Sequence, residues 1–151
     1  MNVSQLCSRK PVTIPKSAEV VTAAQLMREH HVGYLVVTEP DFTGATQRPI
    51  GVLTDRDIVT VIVARDANPR SVTVGDVMTR NPVVVCASDP VAAAVQEMRR
   101  IGVRRMPVVG ELGELIGVLS LDDVLDALSS ELHNLAGAVR NELRVESALR
   151  P

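Results

Sequence analysis

The chain has 151 residues, a formal net charge of −2, and 46% hydrophobic and 23% charged residues. That is the length of one ordinary domain or of two small ones sharing a core, and the balance is that of a globular protein. A charge so near zero supplies no global field to attract nucleic acid or an anionic membrane, so any anion site must be built locally. Tyr34 and Phe42 are the only aromatic residues, which removes the ring platforms that single-stranded nucleic acids and quaternary ammonium groups require.

The first residues, MNVSQLCSRK, do not read as a signal peptide, and no apolar run approaches the roughly 20 residues of a membrane span. The expectation is a soluble, cytoplasmic protein with no membrane partner. Cys7 and Cys86 lie in no metal or redox spacing and are expected to be reduced thiols.

In chain order, an N-terminal helical segment leads into VTI (Val12–Ile14), a β-branched run after Pro11 that predicts a strand. EVVTAAQLMREH follows with Val20, Ala23, Ala24 and Met27 at helical spacing. YLVV and IGVL predict two strands joined by a hairpin-like loop, and DRDIVTVIVAR a closing helix. RDANPRS, Arg65 to Ser71, is a polar linker. The order then recurs: the strand VVV, the helix PVAAAVQEMRRI with Asp89 as expected N-cap and Pro90 at its first position, the strands MPVV and LIGVL, and the helix LDDVLDALSSEL.

The recurrence is a duplication. A constant offset of 71 residues sets Arg9 on Arg80, Pro11 on Pro82, Ser17 on Ser88, Gln25 on Gln96 and Met27 on Met98. After Val37 the first copy carries EPDFTGATQRP where the second has GELGE, and the offset becomes 66, superposing GVLTDRDIV (Gly51–Val59) on GVLSLDDVL (Gly117–Leu125). The predicted class is α/β (α+β): two tandem β-α-β-β-α units, residues 1–68 and 69–130, packed about a pseudo-twofold axis, with a C-terminal helical tail over 131–151. Neither unit alone would bury a sufficient core.

The repeated stretch carries chemistry. With Thr54 at the N-cap of a helix opened by Asp55, its hydroxyl and the free N–H groups of the first turn face one way, which suits an anion. Asp57, one turn on, offers a carboxylate that can accept both hydroxyls of a ribose diol. Ser120 and Asp123 repeat the arrangement. The same S/T-x-x-D pattern is close to a capping box, in which the acid merely accepts the cap's own N–H, and both readings stand. In VRRMPVV, Arg104 and Arg105 stand at the mouth of a strand and offer guanidinium forks to a phosphate. The matching residues of the first unit are Gly33 and Tyr34, so the two clefts are expected to be unequal. Arg56 can add a cation to its own cleft or pair with a neighbouring acid.

The β-α-β-β-α unit, its duplication, G-V-L-[ST]-x-x-D after the third strand and RRMPVV before the hairpin resemble a pair of CBS (cystathionine-β-synthase) domains, the Bateman module. The resemblance covers Val3 to about Leu128. It implies a regulatory module that binds an adenosine-containing ligand (AMP, ADP, ATP, NAD or S-adenosylmethionine) in clefts between the units, requires no catalytic cofactor, and dimerises into a disc. By resemblance, Thr54 and Ser120 take phosphate or ribose contacts, Asp57 and Asp123 hold ribose hydroxyls, and Arg104 and Arg105 face phosphates. Thr13, Ile14, Val84, Val85 and Met106 would touch the base, although core packing explains their residue types equally well.

No nucleophile-base-acid set appears, so no enzymatic activity is expected. His30 and His31, adjacent on a helix, point about 100° apart and cannot chelate one metal together. The function expected is a regulatory, nucleotide-binding signalling module that senses energy or redox state, a homodimer that reports to an effector protein. The alternative is a ligand-free structural dimer whose T/S-x-x-D segments only cap helices. In the tail, Leu132, Leu135, Val139 and Leu143 continue a stripe begun by Leu125 and Leu128, made either to lie on a partner or to fold back, with fraying expected after about Glu146.

Overall fold

In the computed structural model, which describes residues 1–150, the two copies build two sheets. The elements of the first half are α1 (Val3–Leu6), β1 (Thr13–Pro15), α2 (Val20–His30), β2 (Tyr34–Pro40), β3 (Gln47–Thr54) and α3 (Asp55–Asp57), which runs into a π-helical turn over Ile58–Val63. The second half supplies α4 (Val74–Val77), β4 (Thr79–Arg80), β5 (Val85–Cys86), α5 (Val91–Ile101), β6 (Arg105–Val109), β7 (Leu115–Ser120) and α6 (Leu121–Leu149).

One sheet has the order β1-β2-β3-β4 and the other β5-β6-β7. In each, the first strand pairs parallel with the second, Thr13 beside Val36 and Val85 beside Val108, and the second pairs antiparallel with the third. The long helix of each unit buries one stripe: Val20, Ala23 and Met27 on α2, and their counterparts Val91, Ala94 and Met98 on α5. The helical spacing also selects Ala24 and Val95, but Ala24 is exposed and Val95 only half-buried, because the stripe that meets the sheet is narrower than the pattern allows. α5 begins one residue later than expected, with Pro90 as N-cap, because the Asp89 carboxylate instead accepts the Cys86 N–H at 2.9 Å.

The segments leading into each unit are exchanged. α1 is completed into the second core, where Val3 and Cys7 pack with Val85, Met98, Met106 and Leu119, whereas Val74 of α4 packs with Ile14, Leu35 and Leu53 of the first. Main-chain hydrogen bonds follow the same rule: Val3 N–H to Asp89 O at 2.9 Å, and its counterpart Val74 N–H to Ala18 O at 2.8 Å. Beyond them, Ser8 bridges Val118 and Thr79 pairs with Val52, each crossing the third strand of the opposite unit.

The glycine of the G-V-L motif is explained by this crossing. A Cβ on Gly117 would overlap the Ser8 carbonyl oxygen, and one on Gly51 would lie 2.5 Å from the Met78 sulfur.

Two features depart from a regular second copy of the first. The expected helix after Asp57 winds as a π-helix over Ile58–Val63. Six successive β-branched residues crowd χ1 against the preceding turn, and the Thr60 hydroxyl donates to the Arg56 carbonyl at 2.9 Å. α6, by contrast, is α-helical for 29 residues through Leu149, past the point where fraying was expected. Val124 is its buried residue, while Leu132, Leu135, Val139 and Leu143 are 57–66% exposed. The tail therefore does not fold back: it continues the helix that follows β7, and its stripe faces solvent.

Candidate functional site

The N-caps Thr54 and Ser120 have extended backbone at φ −111° and −115°, which turns each strand end directly into a helix start. In the first unit the Asp57 Oδ2 accepts the Thr54 N–H at 2.9 Å, and the Thr54 Oγ1 accepts the Asp57 N–H at 3.2 Å. In the second, Asp123 Oδ2 accepts both the N–H (3.1 Å) and the hydroxyl (2.7 Å) of Ser120. Both motifs are thus capping boxes, and in each the box occupies only the Oδ2 of its aspartate.

A cavity of about 630 Å³ opens beside the first motif. Thr54, Asp55, Arg56 and Asp57 form one wall; Arg104 and Arg105, at the entrance to β6, form another. Ser120 and Asp123 are not among its lining residues. The second unit's arginines therefore share a cavity with the first unit's motif, because the β2 and β6 entrances come together there. Gly33 and Tyr34, the counterparts of Arg104 and Arg105, line the same cavity.

The electrostatics are mixed. Three guanidinium groups meet two carboxylates in one pocket, and Arg56 and Arg105 make no ion pair among the described residues. Arg104 is shared outward, with its Nη2 3.2 Å from Asp122 Oδ1. Burial pushes the Tyr34 phenol well above its ordinary range, and the nearby Arg105 charge pulls it back in part. The Asp55 carboxylate lies over Gly33, where a Cβ would come within 2.5 Å of it, and accepts the Arg56 N–H at 2.8 Å.

The apolar part of the wall differs from the expected one. Ile14, Val85 and Met106 are buried in the two cores, Thr13 lies exposed on β1, and Val84 lines a separate shallow cavity with Ile50 and Val109. The residues that face the large cavity are Val52, Pro82, Val83, Ile101, Val103 and Pro107. On β3 and β6 the alternation of a strand decides this: Leu53 and Met106 are buried in the cores, and their neighbours Val52 and Pro107 line the cavity. Tyr34 was legible through the internal repeat, as the counterpart of Arg105; Ile101 and Val103, which flank the C-cap Gly102 of α5, carried no sequence signal.

Cys7 is buried and Cys86 exposed, and both are free. Among the described residues, no helix is long and apolar enough to cross a membrane, and no cluster of three metal-ligating side chains occurs.

The CBS domain profile matches residues 3–64 and 74–130. An uncharacterised protein of Methanopyrus kandleri is 34% identical over 126 residues, which are 83% of this chain and 61% of that protein, so the chain spans less than two thirds of that relative. Among solved structures, a CBS domain protein from Pyrobaculum aerophilum complexed with AMP is 32% identical, with a TM-score of 0.72 over 82% of this chain and 89% of that one. A hexameric CBS-CP12 protein from bloom-forming cyanobacteria is 27% identical, with a TM-score of 0.72 over 99% of this chain and 88% of its own. Two matched segments, the duplicated β-α-β-β-α units and the exchange between them agree: the chain belongs to the CBS domain family, as a tandem pair.

Proposed function

We propose that the chain is a regulatory module that binds an adenosine-containing nucleotide in the cleft between Thr54–Asp57 and Arg104–Arg105, and that it reports energy or redox state to an effector protein. The observation that carries this reading is the convergence, in one cavity, of a ribose-suited carboxylate, a helix N-terminus and three guanidinium groups in a chain whose net charge would not attract a phosphate. The AMP complex of the Pyrobaculum relative supports the ligand class. Asp57 accepts the ribose hydroxyls through Oδ1 while Oδ2 keeps its capping bond; Arg56, Arg104 and Arg105 take the phosphate; Val83, Ile101 and Pro107 flank the base. No catalytic step is assigned to any residue.

The module acts as a homodimer. Val59 and Leu125, equivalent under the internal offset, are 56% and 61% exposed on the two closing helices, and a second copy would cover both. The hexameric relative supports self-association in the family.

The capping boxes favour a second reading, in which the chain is a ligand-free interaction dimer. Calorimetric titration separates the two. On the nucleotide reading, Asp57→Ala weakens adenosine and AMP alike by about tenfold or more, and Arg105→Ala weakens AMP far more than adenosine, since a hydrogen bond to a charged group contributes roughly 1.5–3 kcal/mol. If AMP, ATP, NAD and S-adenosylmethionine all fail to bind, and Asp57→Ala only lowers stability by about 0.5–2 kcal/mol, the scaffold reading holds.

A further inference from the structure

We infer that Asp122 sets how strongly the cleft prefers a phosphorylated nucleoside to the bare nucleoside, by competing with the ligand's phosphate for Arg104. This rests on the nucleotide reading of the same cleft. Arg104 belongs to two places at once: it lines the cavity together with Thr54 and Asp57, and its Nη2 lies 3.2 Å from Asp122 Oδ1 in the first turn of α6. Asp122 itself does not line the cavity. The Arg104 carbonyl also accepts the Leu121 N–H at 2.9 Å, so the main chain holds the arginine beside the helix start while its side chain is free to turn.

This pair is absent from the first unit. Under the internal offsets Arg104 corresponds to Gly33, which has no side chain, and Asp122 corresponds to Arg56. The duplicated capping architecture therefore does not account for it. A guanidinium engaged with a carboxylate cannot present its full fork to two phosphate oxygens, and the carboxylate repels the same phosphate through space. Both effects act on the phosphate and neither on ribose or base. With the two side chains 73% and 60% exposed, the pair is weak enough for a ligand to displace. Exchange has a reciprocal consequence: phosphate that takes Arg104 releases Asp122, so occupancy of the cleft is linked to the start of the projecting helix α6.

The test is calorimetric titration of AMP, adenosine and inorganic pyrophosphate into the full chain and into Asp122→Asn, Asp126→Asn, Arg104→Ala and the Asp122→Asn/Arg104→Ala double variant. Asp122→Asn is expected to tighten AMP and pyrophosphate about twofold to fivefold, the range of an exposed ion pair, and to leave adenosine unchanged. Asp126→Asn removes the same charge one helical turn further on and should move AMP less. In the Arg104→Ala background the gain from Asp122→Asn should vanish, and in wild-type background it should shrink with added salt. An unchanged AMP affinity in Asp122→Asn, an equal shift for adenosine, or a gain that survives without Arg104 overturns the inference. Should the wild type bind neither AMP nor adenosine, the nucleotide reading falls, and pyrophosphate still decides the competition: tightening in Asp122→Asn upholds it, and no pyrophosphate binding by either protein overturns it.

Discussion

Replacing Gly117 by alanine tests whether the exchanged N-terminal segment holds the second core together. The new Cβ overlaps the carbonyl oxygen of Ser8, whose main chain is fixed by two hydrogen bonds: Ser8 N–H to Val118 O at 2.9 Å and Val118 N–H to Ser8 O at 3.0 Å. The segment has to lift from β7, and those two bonds contribute together roughly 1–3 kcal/mol. Val3 and Cys7, seated in the second core, shift with it. Against this stands the smaller entropy of the unfolded chain when glycine becomes alanine, about 0.4–1 kcal/mol. The net expectation is a destabilisation of about 2 kcal/mol, or a fall in Tm of roughly 4–8 °C for a chain of this size. Gly51→Ala is the internal control, because there the closest atom is the end of the flexible Met78 side chain, at 2.5 Å, with the Thr79 carbonyl at 3.1 Å. Its loss should stay under about 1 kcal/mol, since Met78 can take another rotamer. Urea unfolding of both variants beside the wild type measures the difference. Equal losses at the two glycines, or none at Gly117, would refute the crossing as the reason for the motif's glycine.

The remaining expectations concern the cleft, the loops, the thiols and the tail. A bound nucleotide at a hundredfold excess over Kd should stabilise the fold by about 2.7 kcal/mol, read as a rise in Tm; no movement with any adenosyl ligand argues against the cleft assignment. Asp41 accepts hydrogen bonds from the Thr43 hydroxyl (2.7 Å) and the Thr46 hydroxyl (2.8 Å), which pull its carboxyl down to about 2 from 3.8. Its support of the β2–β3 loop is then complete above about pH 4 and lost as pH falls through about 2, and amide shifts of Thr43 and Thr46 followed by NMR should titrate there, not near the ordinary aspartate value. Cys86, exposed, should react with a thiol reagent in the native protein. Cys7, buried and with its thiol pKa raised chiefly by burial, should react only on unfolding; equal rates would contradict its place in the second core. Leu135→Gln, at a position 65% exposed, should change unfolding of the isolated chain by no more than about 0.5 kcal/mol, and a larger loss would mean that the tail packs on its own module.

Local pattern and internal repetition make much of this molecule legible in its sequence. Val20, Ala23 and Met27, with Val91, Ala94 and Met98, are buried where a helical period puts them, because one face of a short amphipathic helix has only one sheet to cover. Thr54 and Ser120 cap helices because a hydroxyl after an apolar strand and three residues before an acid satisfies free N–H groups by local geometry alone. The exchange of α1 and α4 between the cores was not legible: a segment that packs on its neighbour in sequence and one that packs on its copy have the same residue types. For the same reason the arginines of the second unit could not be placed with the first unit's Thr54 and Asp57 until the fold brought the two strand entrances together. Ile14, Val85 and Met106 were chemically suited to a ligand or a core, and only the register of the strands put them in the core. The π-helical turn at Ile58–Val63 and the solvent-facing stripe of α6 belong with these. Secondary structure and caps follow from interactions within a few residues. The partner chosen by each exposed face follows from packing across the whole chain, which no local window contains.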